Sequence, residues 1–133
     1  MPVENEWYIE GRILMTRLIG TVTVDEMLAS GQRGTVMIES GVAPVYSLVD
    51  VSQMVHFPTR LVDIKKIAEQ GGSDKMSKII LFGVSNRFVN FLANMFTQFI
   101  RTDYSVVDTL DDAVKLVEKL ERRTISQMRI SAN

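Results

Sequence analysis

Cysteine is absent from the 133 residues. That removes disulfides, thiolate metal sites and a cysteine nucleophile together, and it fits a reducing compartment. Histidine occurs once, at His56. No Asp–Ser relay stands at motif spacing from it, and no converging carboxylates accompany it, so neither a nucleophilic triad nor a metal site can be built around it. Neither sign of charge dominates. Fifteen Lys and Arg against sixteen Asp and Glu leave a net charge of −1. The basic residues are scattered, with Arg122-Arg123 the only adjacent Arg pair, and nucleic-acid binding is excluded on that ground. Long apolar runs are missing too: "IILFGV" and "FVNFLANMF" fall short of the roughly 20 residues needed to span a bilayer. The opening "MPVENEWYIEG" is acidic and carries no apolar signal core. The expectation is a soluble, cytoplasmic protein with no integral membrane segment. "GGSDKMSK" lacks the phosphate-loop spacing and precedes a strand, so no cofactor is implied.

What is present is ordinary globular composition, 46% hydrophobic and 23% charged, over a length that suits one domain spanning 1–133. "EWYIEGRILMTRLIG" reads as two β-rich runs folded at Glu10-Gly11, where glycine permits positive φ. Thr23 followed by Glu26 is a capping-box pattern, so a helix is predicted to start there. Gly31 and Gly34 weaken that helix by roughly 1 kcal/mol each; they mark either close packing on a sheet or a break. "APVYSLVDV" is a nearly continuous apolar strand that ends at Asp50 and Ser52 and leads into a loop holding His56. After Pro58, Leu61, Ile64, Ile67 and Ala68 fall at helical spacing, with Gly71-Gly72 as the stop. "KIILFGV" is a second buried strand. "NRFVNFLANMFTQFI" is the most amphipathic helix, its stripe built from Phe88, Phe91, Leu92, Met95, Phe96 and Phe99. "YSVVDTL" is a last short strand. "DDAVKLVEKLERR" is a closing helix capped by Thr109, with Ala113, Val117 and Leu120 inward. The order β-β-α-β-α-β-α-β-α predicts an α/β fold: a mixed, mostly parallel sheet opened by a β-hairpin and covered by about four helices.

The order and spacing of "EGRILMTRLIG", "TVTVDEM", "VYSLVDVS" and "KIILFGV" resemble the STAS domain superfamily, in its SpoIIAA-like branch, whose topology is also similar to the lipid-binding lobe of Sec14/CRAL-TRIO proteins. The resemblance covers nearly the whole chain and lies in topology more than in signature motifs. In the bacterial anti-sigma-factor antagonists of that family, an Asp-apolar-Ser triplet closes a strand. An Asp-Ser pair and a glycine then follow at the start of the next helix, and a partner kinase phosphorylates the serine. Asp50-Val51-Ser52 matches the triplet. Gapless counting sets Pro58 at the aspartate and Thr59 at the phosphorylated serine, while Arg60 and Leu61 replace the small residues and glycine. The acidic neighbour is therefore lost and one hydroxyl is kept.

The resemblance implies a non-enzymatic regulatory or protein-interaction module, with a kinase or an anti-sigma-like protein as partner. Its contact surface would comprise Asp50, Ser52, His56, Pro58, Thr59 and Arg60. Thr59 is the candidate phospho-acceptor, since phosphate there would sit beside Arg60 and a helix N-terminus. The bland alternative makes Pro58 a first-turn proline, Thr59 a cap, and Asp50 and Ser52 local backbone anchors. The Phe-rich helix needs most of its stripe for the sheet. The excess at Phe91, Phe96 and Ile100 would serve a homodimer or a hydrophobic ligand, and the latter gives the alternative function of a small lipid-binding protein.

Overall fold

The computed structural model describes residues 2–58, 60–69, 73–83 and 103–132, the side chains of 124–132 excepted. The elements run β1 (Val3–Ile9), β2 (Ile13–Thr21), α1 (Val24–Glu39), β3 (Val45–His56), α2 (Leu61–Glu69), β4 (Met76–Phe82), β5 (Tyr104–Val106) and α3 (Leu110–Ala132). The Phe-rich helix expected over 87–100 lies outside the described residues. Three helices, rather than about four, are therefore seen among them.

The five strands lie in sequence order, β1-β2-β3-β4-β5. Only β1 is antiparallel to its neighbour; the β2–β3, β3–β4 and β4–β5 pairs are parallel. The hairpin closes where Arg12 N–H donates to the Ile9 carbonyl and Gly11 takes φ of 75°. Its turn is held from outside, since Val42 N–H donates to the Gly11 carbonyl at 2.8 Å. That approach leaves no room on Gly41, where a Cβ would stand 2.7 Å from the same oxygen.

Strand alternation sorts the core into two layers. On one face Ile13, Met15, Tyr46, Leu48, Ile80 and Phe82 pack against Ala113 and Val117 of α3. On the other, Leu14, Val45 and Ile38 form one cluster and Val3, Leu18, Val22 and Val51 another. Leu48 is wholly buried at the centre of the first layer.

Capping chemistry fixes the helices. The Thr23 side chain accepts from Glu26 N–H while Glu26 reaches back to Thr23 N–H, so the expected capping box is present. Gly34 does not break α1. It lies buried against Leu14, whose Cδ2 would be 3.6 Å from an added Cβ. The last turn of α1 contains no basic residue. Lys75, just ahead of β4, supplies the cation instead: its Nζ donates to the carbonyls of Glu39 (2.5 Å) and Gly41 (3.2 Å), where the helix dipole favours positive charge. Thr109 caps α3 by accepting from Asp112 N–H at 3.1 Å.

Candidate interaction face at the end of strand β3

Two expectations about the junction after β3 are corrected. The strand does not stop at Asp50 and Ser52 but continues to His56. Its pairing with β2 shows how. Arg17 faces Asp50, Ile19 faces Gln53, and Thr21 faces His56, so β3 uses more residues than β2 over the same length. Extra residues of this kind bulge and twist a strand without ending it. His56 is consequently a strand-end residue, with its carbonyl accepting from Val22 N–H at 2.9 Å. It stands six positions from Asp50, about 20 Å of extended chain at 3.3 Å per residue, so the two do not share a cleft.

The second correction concerns the start of α2. Pro58 is not in the first turn. The helix begins at Leu61, and the Arg60 carbonyl accepts from Ile64 N–H at 3.0 Å, which places Arg60 at its N-terminal boundary. The chain is spent on the longer strand. Phe57 then anchors it by packing on the Val3–Leu18–Val22–Val51 cluster, and the residue before a proline favours extended backbone. Arg60 is exposed, with Asp63 its ionic neighbour at 4.0 Å. Thr59 lies outside the described residues, as do Phe91, Phe96 and Ile100.

At the near end of this stretch, Ser52 N–H donates to Asp50 Oδ1 at 2.9 Å, the local backbone anchoring expected of that pair. Asp50 shares its sheet face with Arg17, whose guanidinium is bonded to Glu6. The Arg17 pKa is raised, first by that hydrogen bond and then by the charges of Glu6, Asp50 and Glu4, with desolvation opposing. Gly83, one residue past β4, completes the corner. It has φ of +83°, and a Cβ there would lie 2.8 Å from Ser52 N.

Leu61, the first of the apolar residues at helical spacing, is 54% exposed, next to Val62 at 59%, and Val55 on the other side of the junction is 70% exposed. The buried stripe of α2 is Ile64 and Ile67. The junction therefore exposes Val55 before it and Leu61 and Val62 after it, and Asp50 and Ser52 lie farther back along β3. Among the described residues no group of three or more His, Asp or Glu side chains is placed to hold a metal.

No helix among the described residues is long and apolar enough to cross a membrane. No protein-family model matches the chain, and no curated protein matches it. Its fold is similar to the crystal structure of an uncharacterised DUF3478-family protein from Shewanella loihica PV-4, described as SpoIIAA-like. The TM-score is 0.59 at 11% sequence identity, over 86% of this chain and 90% of that one. The chain has the SpoIIAA-like fold.

Proposed function

We propose that this protein is a non-enzymatic, STAS-like regulatory module of the cytoplasm, and that it binds a protein partner through the pole where β3 ends and α2 begins. The observation that carries the reading is the exposure of Val55, Leu61 and Val62 at that pole. Aliphatic side chains grouped on a surface are the mark of a contact site, whereas single ones are commonplace. Arg60 and His56 beside them supply polar contacts at the rim. Phosphorylation of Thr59 would place close to two negative charges within this patch and switch the contact.

The test is recovery of a partner from the native cells with the wild-type chain and with Leu61→Asp/Val62→Asp. The paired substitution is expected to abolish recovery while leaving the circular dichroism spectrum unchanged. Thr59→Glu against Thr59→Ala separates the switch from the surface. Equal recovery by both removes the switch, and equal recovery by Leu61→Asp/Val62→Asp removes the surface.

A further inference from the structure

Helix α2 has an outward face whose residues are of two kinds. Leu61, Val62, Lys65, Lys66 and Glu69 are all exposed. At about 100° per residue they form one continuous strip over about 140° of the helix circumference. Ile64 and Ile67, which are buried, lie on the opposite side. The strip therefore opens with two aliphatic side chains and continues, one turn later, with two lysines.

Its charge is not balanced. The Arg60 side chain, at the N-terminal boundary, is 79% exposed, whereas that of its ionic neighbour Asp63 is only 24% exposed. Asp63 also falls outside the strip by helical spacing. Lys65 pairs with Glu69 at 3.8 Å. Lys66 has no ionic partner among the described residues. The exposed charge of the segment is thus positive, with Arg60, Lys65 and Lys66 set against Glu69. The whole chain, by contrast, carries a net charge of −1.

We propose, on the reading of this pole as a contact site, that its partner brings a short acidic segment with an aliphatic anchor. The anchor seats on Leu61 and Val62, and flanking Asp or Glu side chains pair with Lys65, Lys66 and Arg60. The aliphatic pair alone would accept any apolar surface; the cations select among them by favouring acidic partners and rejecting basic ones. The nine residues of α2 rise about 13 Å, a length that suits a short segment. An anionic bilayer has the same sign of charge, but the arrangement of the strip disfavours it. A helix lying in a bilayer interface separates its apolar face from its basic one. Here the apolar face is occupied by the core. Lys65 lies between Leu61 and Val62 around the helix axis, so inserting that pair would carry an ammonium group to the same depth.

A displayed library of random short peptides, selected on the full chain, tests it. Selected peptides are expected to combine Leu, Ile or Val with Asp or Glu. Binding of such a peptide, read by fluorescence anisotropy, should be lost with Leu61→Asp/Val62→Asp. It should weaken about tenfold or more with Lys65→Glu/Lys66→Glu. The same peptide with its acids replaced by Lys should bind Lys65→Glu/Lys66→Glu better than the wild type, a reversal that a damaged fold would not produce. Peptides that need Leu61 and Val62 but are indifferent to both lysines overturn the acidic segment and leave the contact pole standing. If no selected peptide needs Leu61 and Val62, the acidic segment is again overturned, and the partner recovery described above judges the pole independently. Cosedimentation with vesicles of phosphatidylcholine and phosphatidylserine, abolished by the same substitutions, overturns it too by giving the strip to a bilayer.

Discussion

Gly83 shows how much one residue can decide. Its positive φ disfavours any side chain, and its Cβ position is taken by the Ser52 backbone. The end of β4 therefore lies directly against the widened part of β3, and a larger residue would push the two strands apart. Gly83→Ala is expected to destabilise the protein by about 2–3 kcal/mol, read as a lower urea midpoint at unchanged slope; an unchanged midpoint would contradict the close approach. At the other end of the scale, Thr23→Ala removes one half of the capping box and should cost about 1 kcal/mol in the same titration. Arg17 bears on pH. Its folded pKa is raised, so its contribution is fully present below the ordinary arginine range and is lost only as pH climbs through the raised value. Titration through neutrality should leave that contribution in place.

Among the elements, β1 is the longer of the two edge strands in the described sheet, and so the more open to unwanted pairing. Pro2 carbonyl accepts from Ile19 N–H at 2.7 Å, so strand alternation turns the Val3 carbonyl to the open edge. Arg33 of α1 covers it: its Nη2 donates to that carbonyl at 3.2 Å, and its Nε donates to Asn5 Oδ1 at 3.1 Å. Asn5 also accepts from Ser30 and donates to Thr16, which ties α1 to both strands of the hairpin. Glu4 and Glu6 add like charges that oppose pairing with another β1. Arg33→Ala is expected to cost about 1–2 kcal/mol and to raise static light scattering with protein concentration. Lys75→Met, which strips the cation from the end of α1, should cost about 0.3–1 kcal/mol without any change in scattering.

At the scale of the whole molecule, the elements legible in the sequence were those with local causes. The Gly11 turn, the Thr23–Glu26 box and the Thr109 cap each depend on residues within a turn of one another, and all three are present. The alternation of apolar runs with helices gave the sheet and its SpoIIAA-like fold. The junction after β3 was less legible because its cause is remote. Ser52, Gln53, Val55 and His56 are exposed, so they carry no burial pattern, and only pairing with the end of β2 keeps them in a strand. Leu61 shares the helical spacing of Ile64 and Ile67, and spacing alone does not reveal that it is exposed while they are buried. Arg33 and Lys75 reach partners some thirty residues away, and no local spacing announces either contact.

The strand order has a consequence for how the chain is made. Because each strand lies beside the one before it, a polypeptide emerging N-terminus first can add every strand to a free edge and never has to open a pair already formed. The helix that covers the Ile13–Tyr46–Ile80 layer, however, follows all five described strands in the chain. Until it arrives, that layer lacks the packing of Ala113 and Val117. Nascent chains stalled before Leu110 should therefore hold a sheet already in order and yet be bound by chaperones, and release should coincide with the emergence of Ala113 and Val117.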